Sequence, residues 1–144
     1  MAVSAYWYGS AFLKAFNKEI DFDSDTIKCM LCTSSYVPDQ DGHAYKDVSV
    51  SNEVTGTNYT AGGATLSGNV ISYDGPTNTL KLDANDVVFS ASTITARYAV
   101  IYDDTPPTNK PLLCYVDFGQ DTSSNNADFT IQFSSNGIAT LTVS

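Results

Sequence analysis

Residues 94–102, ITARYAVIY, and residues 111–118, PLLCYVDF, are two apolar runs separated by DDTPPTNK. In an extended strand, side chains alternate between faces. Ile94, Ala96, Tyr98, Val100 and Tyr102 therefore share one face of the first run, and Thr95, Arg97, Ala99 and Ile101 the other. In the second run Leu112, Cys114, Val116 and Phe118 alternate with Leu113, Tyr115 and Asp117. Neither run has a properly polar face, so both read as central strands covered on two sides. Between them Asp103, Asp104, Pro106 and Pro107 form a surface loop, because proline fixes φ and lacks the N–H that a ladder uses.

Working outward, turn residues bound further strands. TIKCMLCT at 26–33 is strand-like, and residues 69–73 and 79–83 form a hairpin around Asp74, Gly75 and Pro76. Residues 87–90 follow the turn at Asn85 and Asp86. GQDTSSNNA separates Phe118 from a strand at 128–133, and a last strand covers 137–143. About eight short strands at this spacing predict an all-β, single-domain sandwich or barrel at 21–144. A chain of 144 residues buries a core of its own without metal or disulfide staples.

The segment 1–20 is expected to be an N-terminal helix or arm. Tyr8, Ala11, Phe12, Ala15 and Phe16 recur at helical spacing within residues 4–18, with Ser4 placed to cap the start. The aromatic cluster Tyr6, Trp7, Tyr8 and Phe12 has two readings. It is a helix lid on one end of the β core, or an arm that docks into a neighbouring subunit through aromatic anchors. Residues 48–68 read as a long ordered loop rich in glycine, and its Asn58 and Tyr59 join the candidate interface residues.

Composition narrows the function. Sixteen acidic against seven basic residues give a formal charge of −9, which repels phosphate and predicts neither a nucleic-acid nor a membrane partner. The start lacks the basic region and apolar core of an export signal, so the chain is expected to be made in the cytosol. Only 16% of residues are charged and nine are tyrosine, a surface suited to packing against other proteins. Cys29, Cys32 and Cys114 are odd in number and read as buried thiols. The spacing of three within one strand sends the Cys29 and Cys32 sulfurs to opposite faces, where they do not converge on zinc. Asp21, Asp23 and Asp25, and likewise Asp39, Asp41 and Gly42, are fragments of a calcium loop without its distal glutamate. No metal or cofactor is expected. His43, the only histidine, sits in a turn-like stretch with no GxSxG motif, and the carboxylates flank Ser, Gly, Pro or Asn as solvated turn residues do. The expectation is a protein that is not an enzyme.

TSSYVPDQDGHAYKDVSVSNEVTGTNYTAGGATLSGNVISYD, then ITARYAVIYDDTPPTNKPLLCYVDFG, then DFTIQFSSNGIATLTV, resembles a family of small structural proteins of tailed-bacteriophage virions. The resemblance covers the chain from about Asp21 onwards. It implies a jelly-roll-like sandwich located on the virion, as a capsid decoration or cement protein that binds the major capsid protein and bridges its neighbouring subunits. It also implies a homo-oligomer, dimer or trimer. A tail or baseplate component is the alternative within the class, and a carbohydrate-binding host-attachment module is the alternative outside it.

Overall fold

The computed structural model describes residues 3–144; Met1 and Ala2, the first residues of the expected arm, lie outside the described residues. In chain order the elements are β1 (Ser4–Trp7), α1 (Ser10–Phe16), β2 (Ile27–Cys32), α2 (Lys46–Ser49), β3 (Ala64–Thr65), β4 (Val70–Asp74), β5 (Thr79–Asp83), β6 (Val87–Asp103), β7 (Leu112–Ile131) and β8 (Ala139–Thr142). They form the expected all-β sandwich. A five-stranded sheet of order β1-β7-β6-β2-β3 faces a three-stranded sheet of order β4-β5-β8, and every pairing is antiparallel.

The two apolar runs are central strands, each flanked on both sides in the larger sheet. Both faces of that sheet are buried, as the absence of a polar face requires. One face packs Ile27, Cys29, Leu31, Ile94 and Ile101 against Leu82 and Ile138 at the small sheet. The other buries Met30, Cys32, Val100, Tyr102, Leu112 and Tyr115 beneath Tyr8, Tyr36 and Val50. Simple alternation fails at two bulges. The register slips between Ala96 and Tyr98, opposite residues 117–122, and between Ile101 and Tyr102, opposite Leu112 to Cys114. Each extra residue moves later side chains to the opposite face. Ile94 and Ala96 therefore join the core between the sheets, whereas Tyr98, Val100 and Tyr102 face the other way, and Leu112 is parted from Cys114 and Val116, which share the inner core with Leu113. The first slip carries an ion pair, Arg97 Nε to Asp117 Oδ1 at 2.7 Å, and Asp117 also accepts the Gly119 N–H.

Four expectations are corrected. Residues 87–90 and 94–102 are one strand, β6, and GQDTSSNNA lies inside β7 instead of separating two strands. Its polar residues pair with polar residues: Thr95 bonds Ser123 at 2.7 Å, Ser92 bonds Ser124 at 2.8 Å, and Thr93 Oγ1 accepts the Asn126 N–H. The ladder thus continues across a region whose side chains mostly face water, with Ser92 buried. The helix expected over 4–18 is confined to Ser10–Phe16, and Ser4–Trp7 is a strand paired with β7. Four extended residues that find a sheet edge gain backbone hydrogen bonds that a short exposed helix does not. Ser4 is accordingly no helix cap; Gly9 occupies that position. Within the 1–20 segment, β1 is the outer strand of the main sheet.

Cys29, Cys32 and Cys114 are free and buried, with Cys29 and Cys32 in the two separate cores. Burial pushes the Cys32 and Cys114 thiols up to about 12, so both stay protonated and unreactive near neutral pH.

Candidate functional site: an apolar groove beside the N-terminal helix

The expected interface residues divide into buried and accessible ones. Tyr8 has no exposed surface, and its hydroxyl bonds Tyr36 Oη at 2.8 Å, which in turn bonds His43 Nδ1 at 3.0 Å. This buried relay holds residues 33–50 on the outer face of the main sheet. Tyr8→Phe is expected to keep the fold and cost about 1 kcal/mol, the net worth of one buried hydrogen bond, as measured by chemical denaturation. Tyr59 is also structural: its hydroxyl donates to Glu53 at 2.8 Å and accepts the Leu31 N–H at 2.9 Å, and its ring packs on Phe89. Asn58, left-handed at φ 57°, donates its amide to the Ala91 carbonyl and ties the long loop to β6. Tyr6 is 41% exposed and stacks on Tyr115. Trp7 donates Nε1–H to the Thr140 carbonyl at 2.8 Å and packs its ring against Phe12.

Trp7 and Phe12 are the two expected interface residues that share a site. With Phe16 they form one wall of a groove of about 280 Å³, and Ile71, Leu80 and Leu141 of the small sheet form the opposite wall. Phe22, Leu82 and Leu113 also line it, and no ionisable side chain does. The apolar character follows from the elements. α1 turns Ala11 and Phe12 toward the protein, but seven residues are too few to bring Phe16 into the core, so it stands 88% exposed. In the small sheet Ile71 pairs with Leu82 of β5 and Leu80 of β5 pairs with Leu141 of β8, so the four make one diagonal apolar row on the same face. Only the inner part of that row is covered, leaving Ile71 45% and Leu141 36% exposed.

Sequence reasoning placed Phe16 in a core-facing stripe and gave Ile71 and Leu141 no surface role. The sequence signal was a surplus: one helix and one hairpin supplied more large apolar residues than a single interior contact uses.

The groove suits binding better than catalysis. It offers apolar contact area and, apart from the Trp7 indole N–H, which is already bonded, no polar group to orient or polarise a small molecule. Among the described residues no group of three or more His, Cys, Asp or Glu side chains is arranged to hold a metal ion. Asp39 illustrates the fate of the calcium-like fragments: its carboxylate accepts the Asp41 and Gly42 N–H groups at 3.0 Å each, which holds it below the usual carboxylate range. Among the described residues no helix is long and apolar enough to cross a membrane.

Comparison with protein-family models, with curated proteins and with solved structures finds no match.

Proposed function

We propose that this protein is a non-enzymatic structural component of a tailed-phage particle, a capsid decoration protein that docks on the major capsid protein through the groove between α1 and the small sheet. The observation that carries the reading is the groove itself: Phe16, Ile71 and Leu141 stand exposed around an uncharged cleft on a protein with few charges. Contiguous apolar surface of this kind marks protein contact sites. The particle is inferred from the sequence resemblance of residues 33–74, 94–119 and 128–143 to phage virion proteins. A decoration protein performs no reaction. It works by binding many times over at symmetric positions, so that modest contacts sum to a reinforced shell.

The test compares binding of the purified protein to heads and to tails of tailed virions, with copies per particle counted. Hundreds of copies on heads is the expected result; a few copies on tails alone replaces decoration with a tail role, and binding to glycans but to neither replaces it with host attachment. Phe16→Asp is expected to leave the fold within about 0.5 kcal/mol of the parent, since the side chain is on the surface. Particle binding should weaken by about 2 kcal/mol or more, the scale of an interface hot spot. Undiminished binding would remove the groove from the interface.

A further inference from the structure

The two sheets present four edges, and three of them are either engaged by a side chain or too short to pair. The outer edge of β1 is met by Gln40, whose side chain donates to the Trp7 carbonyl at 2.7 Å and whose carbonyl accepts the Gly9 N–H. The edge of β8 is met by Trp7, which donates to the Thr140 carbonyl. β3 is two residues long, too short to template another strand. β4 differs. All five residues of VISYD are exposed, with Val70 at 52%, Ile71 at 45% and Tyr73 at 56%. Its inner edge pairs with β5 from Val70 to Asp74, and its outer edge has no strand partner among the described residues. Natural edge strands are guarded by lysine, proline, a bulge or a covering segment. β4 has no lysine, no proline and an unbroken register; its one charge, Asp74, lies at the end and is engaged by Thr77.

We infer that the β4 edge is a self-association surface, on which two copies pair antiparallel about a dyad at Ser72 and join their three-stranded sheets into one of six strands. The occupant is a second copy because the strand is complementary to itself in that arrangement. With Ser72 opposite Ser72, Ile71 of each copy faces Tyr73 of the other, a pairing of β-branched with aromatic side chains that stabilises antiparallel strands. The pairing is isologous, so it closes at two copies and does not grow into a filament. Its size sets its strength. Three half-exposed side chains and five residues of backbone per copy bury on the order of 800 Å² in total, below the usual range for stable complexes, so the dimer is a weak one. Both copies carry −9, and added salt screens their repulsion and tightens the dimer.

The experiment uses purified full-length protein without any particle, so its outcome is separate from the docking proposed above. Sedimentation velocity from roughly 1 to 500 μM should show a monomer giving way to a dimer with a micromolar dissociation constant, tighter at high salt. Ser72→Lys, at an exposed position, places two ammonium groups at the dyad and should weaken the dimer at least tenfold. Ser72→Cys should crosslink to a dimer under mild oxidation, because the three native thiols are buried and do not compete. Val48→Cys, at a position 73% exposed on a different surface, should not. A protein that stays monomeric throughout, a dimer indifferent to Ser72→Lys, or crosslinking as fast at position 48 as at 72 would each overturn the inference.

Discussion

Asp103→Asn is expected to stabilise the protein at about pH 8 by up to roughly 4 kcal/mol and to remove most of the dependence of stability on pH between about 4 and 7. Asp103 is completely buried at the end of β6. One carboxyl oxygen accepts the Thr105 N–H at 2.9 Å, the other has no hydrogen-bond partner, and the Asp25 carboxyl is a neighbour that disfavours a second charge. Burial first, and Asp25 second, raise the Asp103 carboxyl from 3.8 to about 7. The sign follows from proton binding. Between those values the unfolded chain has released a proton that the folded chain retains, so stability falls by about 1.4 kcal/mol per pH unit as pH rises, and levels off above about 7. Asparagine imitates the protonated acid, its amide donating where the acid proton would. Urea denaturation of both proteins at about pH 5 and pH 8 is the measurement. A parent whose stability rises with pH over that interval, or a variant less stable at the higher value, would contradict it.

Gly63→Ala is expected to cost about 3–5 kcal/mol and to be the most damaging small substitution in the long loop. Gly63 has φ +84°, which alone disfavours any side chain. It also lies where the loop drops onto the central sheet: an added Cβ would overlap the Cys29 carbonyl and stand 2.6 Å from Met30 Cα. Both obstacles are backbone of β2, whose side chains sit in the two cores, so neither moves without disturbing both. Gly75→Ala is the control, since a Cβ there meets nothing within 4 Å. Thermal denaturation of the pair should show a large fall in Tm for the first and almost none for the second. Equal effects would mean that the loop yields and does not lock.

The parts of this fold that were legible in the sequence are those where burial alone determines the residue type. The two central runs, β2 and the β4–β5 hairpin carry their apolar pattern openly. Three things were hidden, each for a physical reason. Ser, Thr and Asn at 90–93 and 119–127 favour turns in isolation, and the partner rows that keep them extended lie on the opposite strand. The further register shifts of β6 between Phe89 and Ile94 require local geometry, such as Ala91 at φ 48° and Asn126 at φ 48°, that neither residue type announces. β1 was masked because Tyr8, Ala11 and Phe12 do belong to a helical pattern, and nothing local shows that the chain turns at Gly9. The candidate site was half visible for the same reason. Trp7 and Phe12 stood out as aromatics, but whether Phe16, Ile71 and Leu141 end inside or outside depends on how α1 and the small sheet are set beside each other.

The hydrogen bond from Trp7 to Thr140 joins residues 133 positions apart, and this separation bears on how the protein is made. A ribosome adding about 5–20 residues per second delivers β8 on the order of ten seconds after β1. For most of that interval β1 has neither β7 to pair with nor β8 to seal it. The long β6–β7 hairpin, whose halves meet across a short loop, is free to zip up as it emerges. β1, made long before its partners, thus waits for them, and Tyr6, Trp7 and Tyr8 are the residues that cellular chaperones would need to shield until β7 and β8 arrive.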